Sequence, residues 1–300
     1  MIDLPATITH HLETSERKGW QPGGNYASTA GHPCERKLVY DRLDWEKKAL
    51  PGPQTLLVFR EGNLHESAVL DLLRAAGLSV VEQQRPVGEK DKLFDELQLR
   101  AKIDGQIQDG RELIPLEIKS MNPYDWAKIH TEADLIHSPK WWLRGYYAQM
   151  TLYLLGTEKE FGWLILKNKV NGQLKQIVVH LDYAYADELV AKLKRINAHV
   201  AAKTYPDRIT DRSVCERCDF RSICLPDQDF DVITVSTEKE LIDLLDAMDA
   251  VKANAKEYDK LNERWKDLYK VMGDGEYLIG GKYDVQVKTH NRIEYRLPPE

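Results

Sequence analysis

Apolar positions recur at spacings of three and four over residues 56–76, 141–155 and 184–203, the pattern of helices with one buried face. Gly77 and Gly156 follow two of these stretches where a helix C-cap is expected. Between them the pattern changes to strands. Residues 78–83 are apolar and β-branched, 98–108 alternate, and 113–118 run back after an Asp109-Gly110 turn signal. A second hairpin is predicted over residues 162–169 and 174–180, around Asn171-Gly172. Residues 1–53 are broken by proline and glycine and predict an irregular arm with one helix over 35–44.

After residue 206 the pattern is interrupted by a cysteine-rich segment, then resumes. Thr237 and Glu240 read as a capping box. Leu241, Leu245, Met248, Val251, Ala255, Tyr258, Leu261, Trp265 and Leu268 follow at helical spacing. A single helix over 237–272 would be on the order of 50 Å long, with an apolar stripe suited to a protein partner or to self-association. Short strands are predicted beyond it, with Gly280-Gly281 as a turn.

Three hundred residues make about two domains. The division expected is an arm over 1–55, a core over 56–205, a cysteine-rich segment over 206–230 and a C-terminal appendage over 231–300. No apolar run approaches the roughly 20 residues needed to span a bilayer, and no signal peptide is visible. The expectation is a cytoplasmic protein with no membrane partner. The net charge is −6, but residues 226–249 alone carry −7, so the rest of the chain is close to neutral. The 163–180 hairpin bears Lys167, Lys169 and Lys175 and no acid, which suits an anionic polymer or simply a solvated face.

The chemistry concentrates in KIDGQIQDGRELIPLEIKS. Glu117 and Lys119 lie two apart and point to one face of the returning strand. Pairing through the turn brings Asp104 near Glu117. Two carboxylates and an ammonium on one face repel and desolvate unless they hold something, and a divalent cation between the acids removes the repulsion. The competing reading is an exposed face with an incidental ion pair, worth under about 1 kcal/mol. On the helices, His65 is a candidate third metal ligand beside the carboxylates. Gln149 and Tyr153 share a face at i, i+4, and Trp141 and Trp142 either pack or stack on unpaired bases.

Cys215-x2-Cys218-x5-Cys224 places three thiols on one loop, and the remaining cysteine, Cys34, is far upstream. Zinc sites more often use two close pairs. Three clustered thiols and one remote one suit a [4Fe–4S] cluster better, and two disulfides would need an oxidising compartment.

PCERKLVY, a helix bearing GNLH, KIDG, LEIKS, QMTLY and CERCDFRSIC occur in that order. Together they resemble the RecB-like nucleases of the PD-(D/E)XK superfamily. The likeness is to the iron–sulfur branch, which includes the CRISPR-associated RecB-like exonucleases and the AddB nuclease domain. It spans roughly residues 25–226. It implies an α/β, restriction-endonuclease-like fold: a mixed central sheet flanked by helices, with an iron–sulfur lid. It also implies a Mg²⁺- or Mn²⁺-dependent DNA exonuclease acting on single strands or duplex ends. Asp104, Glu117, His65 and the Ile118 carbonyl would ligate metal, Lys119 would be the catalytic lysine, and Gln149 and Tyr153 would match the QxxxY motif. Tyr153, Trp141, Trp142, Lys167 and Lys169 would meet DNA, and the four cysteines would hold [4Fe–4S]. The segment after Asp231 departs from the compact CRISPR-associated form and looks more like phage recombination nucleases of the YqaJ type. The pathway expected is therefore recombination or repair, phage DNA processing, or CRISPR adaptation. The alternatives are a DNA-binding, catalytically silent nuclease-like subunit and a zinc-stapled DNA-binding protein.

Overall fold

A computed structural model describes residues 2–16, 21–89, 91–226, 234–236, 238–250, 255–269, 272, 275–280, 283–287 and 294–296. The chain divides into two compact units, Met1–Arg208 and Ile209–Glu300.

In the first unit, helix α1 (Leu4–His11) precedes strand β1 (Asn25–Tyr26), α2 (Ala27–Ala30), α3 (Glu35–Leu43) and the long α4 (Pro53–Ala75). Next come β2 (Val80–Val81), β3 (Pro86–Val87), α5 (Lys92–Glu96), β4 (Leu99–Lys102), β5 (Gly105–Asp109) and β6 (Glu112–Met121). Helices α6 (Pro123–Lys128), α7 (Glu132–Ile136) and α8 (Trp141–Thr157) lead to β7 (Phe161–Asn168), β8 (Leu174–His180) and α9 (Tyr183–Ala202). Five strands form a mixed sheet in the order β2-β5-β6-β7-β8, with β6 and β7 parallel and the other pairs antiparallel. A three-stranded sheet, β1-β4-β3, lies in the same unit.

The five-stranded sheet is covered on both faces. Val69 and Leu70 of α4 pack on Ile107, Leu116, Ile118 and Ile165. Met150 and Leu154 of α8 belong to the core that contains Leu164, Leu166, Ile177 and Val179. Burial of each such side chain contributes about 1.5–3 kcal/mol. Double coverage explains why β6 and β7 read as near-continuous apolar runs rather than clean alternations. The overall class is the mixed sheet flanked by helices that the sequence predicts.

Two strands differ from expectation. The stretch predicted as one strand over 98–108 is broken at Ile103-Asp104. There the backbone turns aside to pair with residues 84–85: Ile103 N–H donates to the Arg85 carbonyl and Gln84 N–H to the Asp104 carbonyl. β4 thus joins the small sheet and β5 the large one. The strand predicted over 78–83 is cut to two residues, because Glu82 and Gln84 adopt positive φ values of 50° and 58° and cannot continue a ladder.

The second unit holds α10 (Arg212–Cys215), α11 (Arg221–Cys224), β9 (Thr234–Ser236), α12 (Lys239–Ala250), α13 (Ala255–Tyr269), β10 (Gly275–Ile279), β11 (Tyr283–Val287) and β12 (Glu294–Arg296). Its strands form one sheet in the order β12-β11-β10-β9. The single helix expected over 237–272 is corrected to two. The Glu240–Arg264 ion pair, at 3.2 Å, joins the start of α12 to the later part of α13, so the helices fold back on each other. The apolar stripe is spent inside this unit. Leu241, Leu244, Leu245 and Met248 of α12 share a core with Trp265, Ile279, Tyr283 and Val285. Those positions are not a free docking face for a partner or a second copy. The expected cap residue Thr237 lies outside the described residues.

Candidate functional site

The Gly110-Arg111 turn, with Gly110 at φ +60°, sets Gly105 opposite Leu116 and Gln106 opposite Pro115. That register carries Asp104, at the bend between the two sheets, to the position beside Glu117. The Ile118 N–H donates to Asp104 Oδ2 at 2.8 Å. Glu117 and Lys119 leave β6 on the face turned to α8 and form an ion pair through Glu117 Oε1. Gln149 on α8 donates its amide to the same oxygen at 2.9 Å. Asp104, Glu117, Lys119, Gln149 and Tyr153 therefore line one cleft of about 640 Å³, shared with Glu66, Gln84 and Lys102.

The electrostatics of this cluster are strained. Asp104 is buried beside Glu117, and burial, then the neighbouring carboxylate, pushes its pKa up to about 7. Burial also raises Glu117, against the pull of Lys119. For Lys119, burial alone acts to lower the pKa, but Glu117 and Asp104 outweigh it and hold the ammonium above its ordinary value. The Lys119 ammonium also lies 5.5 Å from the centre of the Tyr146 ring.

Glu117 Oε2 is buried and has no hydrogen-bond partner. A carboxylate oxygen in that state lacks what burial requires. A divalent cation set between it and Asp104 would supply the missing partner and relieve both raised carboxyls. The donor set is hard oxygen, as Mg²⁺ and Mn²⁺ prefer. Among the described residues no group of three or more His, Cys, Asp or Glu side chains is arranged to hold a metal by itself. The protein side of such a site is therefore two carboxylates, completed by backbone oxygen, water or substrate phosphate.

Tyr153 is nearly fully buried, and its hydroxyl donates to the Lys102 carbonyl at 2.6 Å while accepting from Gln149 at 2.6 Å. Its single proton is committed within the fold rather than directed at a phosphate. Trp141 and Trp142 are half-buried and meet edge to face at 5.8 Å. Trp141 also contacts the His32 ring at 4.6 Å, and Trp142 lies 5.3 Å from the Lys140 ammonium. Both indoles pack against their neighbours.

On α4, the structure brings Glu66 and not His65 into the cleft lining. Gln84 bridges Glu66, at 2.6 Å, toward Asp104, at 3.5 Å. Burial and then Asp104 raise the Glu66 pKa. His65 lies 3.9 Å from Glu61. Its pKa is lowered by burial and by Lys167, with a smaller effect from Lys169, so it belongs electrostatically to the basic end of β7. Sequence reasoning missed Glu66. The signal was its position one residue past His65, but helical phase alone does not tell which of two adjacent residues faces a groove. Lys175, grouped with these lysines by sequence, is occupied elsewhere, donating to the Trp126 and Ile129 carbonyls.

None of the four cysteines is in a disulfide. Cys34 is buried at the N-cap of α3. Cys215 and Cys224 end α10 and α11, and Cys218 lies in the connection, where its N–H donates to the Cys215 carbonyl at 3.1 Å. Among the described residues, Cys215, Cys218 and Cys224 are not grouped so as to hold a metal by themselves. No helix among the described residues is long and apolar enough to cross a membrane.

No protein-family model matches the chain, and no curated protein matches it. Among solved structures, the chain is similar to the crystal structure of SSO0001, at 14% identity and a TM-score of 0.42, over 76% of this chain and 99% of that one. It is also similar to an alkaline exonuclease, LHK-Exo, from Laribacter hongkongensis, in two structures, one of them in complex with dAMP. Each of those two comparisons gives 18% identity and a TM-score of 0.40, over 60% of this chain and 89% of that one.

Proposed function

We propose that the protein is a Mg²⁺- or Mn²⁺-dependent DNA nuclease of the PD-(D/E)XK kind, acting as an exonuclease on single strands or duplex ends. One observation carries the reading. Asp104 and Glu117 are buried side by side with raised proton affinity, one Glu117 oxygen is unpartnered, and Lys119 stands against them in an open cleft. A solvated ion pair on a strand face would show none of the first three.

Asp104 and Glu117 would hold the cation, which when bound lowers the pKa of water and draws charge from the scissile phosphate. Lys119 orients the attacking water and faces the negative charge that develops on the phosphate oxygens. The water oxygen bonds to phosphorus as the bond to the leaving oxygen breaks; the water proton leaves to solvent, and the leaving oxygen takes up a proton from solvent. Gln149 fixes the Glu117 rotamer, and Tyr153 in turn fixes Gln149. Lys167 and Lys169 would meet the phosphate backbone outside the cleft.

Cys34, Cys215, Cys218 and Cys224 would ligate a structural [4Fe–4S] cluster. The support is four thiols outside any disulfide, three of them on one short loop. The cluster has no part in the hydrolysis.

The test is end-labelled single-stranded and blunt duplex DNA with and without Mg²⁺ or Mn²⁺. Metal-dependent degradation from ends should fall about 10²–10³-fold in Lys119→Ala and vanish in Asp104→Ala. Cleavage that persists undiminished in both variants removes this site. Binding without cleavage by the wild-type chain would mean a silent DNA-binding subunit.

A further inference from the structure

Gln106 is 2% exposed, and its Oε1 has no hydrogen-bond partner. It neighbours Ile107 in β5, and Ile107 packs on the α4 side of the sheet, so Gln106 lies on the opposite face. Gln106 is among the residues that line a second cleft, of about 610 Å³, with Arg85, Glu89, Arg111, Glu158 and Lys159. Residues 86–89 line both this cleft and the catalytic one, so the two openings flank strand β3. That dividing strand is held in place by Phe94, whose ring sits against Gly88 and Gly156. A Cβ at either glycine would lie 2.2 Å or 2.5 Å from it.

The lining carries both signs. Arg85 is paired with Glu82, and Lys159 lies 3.4 Å from Glu112. Asp91 is used to cap α5, and Glu89 and Glu158 also line the cleft. Among the described residues the exposed Arg111 guanidinium has no ion-pair partner. The cleft thus offers a buried amide, with one donor and one acceptor edge, and a free guanidinium at its mouth. An amide of that kind matches the paired donor and acceptor edge of a nucleobase, and guanidinium matches phosphate.

We propose that this second cleft binds one deoxynucleotide unit, the base edge on Gln106 and the phosphate on Arg111, next to the catalytic cleft. The choice of ligand rests on the nuclease reading above, but the site is defined by Gln106 and Arg111, which that reading does not use.

The test is calorimetric titration of the metal-free protein with the four 2′-deoxynucleoside 5′-monophosphates and with 2-deoxyribose 5-phosphate. At least one nucleotide should bind saturably, and about tenfold more tightly than the sugar phosphate, the discrimination one paired amide contact supplies. Arg111→Ala should weaken it by a similar factor. Gln106→Glu, which keeps the shape but loses the donor, should change which base is preferred, an effect a merely structural glutamine would not produce. Absence of saturable binding, or Arg111→Ala and Gln106→Glu titrating like the wild type, would leave the cleft to water and overturn the proposal. Nucleotide binding in a protein that cuts no DNA would overturn the nuclease reading and leave this site standing. Normal cutting without such binding would do the reverse.

Discussion

The Ile118 N–H donates to Asp104 Oδ2 at 2.8 Å, tying the bend between the two sheets to the strand that carries Glu117 and Lys119. The bond fixes the spacing of the two carboxylates through the backbone, so the site does not depend on flexible side chains for its shape. Taken alone the bond favours the ionised carboxylate, but burial and the neighbouring Glu117 outweigh it.

That placement gives a stability signature. Asp104 has a folded pKa of about 7 against an ordinary value of 3.8. A carboxyl that holds its proton more tightly when folded stabilises the fold below the lower value, and the contribution is lost as pH rises through the higher one. Metal-free Asp104→Asn should therefore melt above the wild type at pH 8, with the gap shrinking toward pH 5. Each kcal/mol moves Tm by about 2–4 °C in a unit of this size. Adding Mg²⁺ at pH 8 should raise the wild-type Tm and leave the variant unmoved. Identical melting curves at both pH values would mean Asp104 is not the strained group.

Tyr153→Phe tests the support of the site rather than its chemistry. The hydroxyl serves both the Lys102 carbonyl, in a part-buried bond, and the Gln149 amide, in a buried one. Its removal strands them at a cost of about 1–3 kcal/mol. The variant should unfold earlier in urea and keep metal-dependent cleavage at a reduced kcat. Unchanged stability with lost DNA affinity would instead return Tyr153 to a role on the phosphate.

The hairpin was legible because its turn chemistry and its period of two fix register without long-range information. Asp104, Glu117 and Lys119 follow from that alone. The break at Ile103-Asp104 was not legible, because it is made by residues 84–85 pairing from another part of the chain. That Glu66 rather than His65 lines the cleft was hidden for a related reason. Where α4 rolls on the sheet is decided by Val69 and Leu70 packing on Ile107 and Leu116, a tertiary matter. The two-helix C-terminal unit was hidden because a continuous apolar stripe fits one rod and a folded pair equally well.

The α4 question has a direct test. Glu66→Gln removes a carboxylate that lines the cleft and interacts with Asp104 through Gln84. It should raise the metal concentration needed for half-maximal cleavage by about tenfold, the scale on which residues just outside a metal's ligands act. His65→Ala should leave that concentration alone and change only how cleavage falls with salt, since His65 sits with Lys167 and Lys169. The opposite pattern would make His65 the ligand.

The cysteines separate the three readings of the second unit. Protein purified without oxygen should be brown, with broad absorption near ~400 nm from thiolate–iron charge transfer. Colourless protein carrying stoichiometric zinc would replace the cluster by a zinc staple. Cys218 lies between α10 and α11, and its N–H closes the turn onto Cys215. Val214 and Phe220, buried on either side of it, are the small apolar anchor of that loop. An anchor of two side chains is thin, so a metal group bound there should carry much of the loop's order. Cys218→Ala should then bleach the colour and lower solubility and Tm more than Asp104→Ala does. Equal Tm in the two variants, with colour absent from the wild type, would mean that the thiols staple nothing.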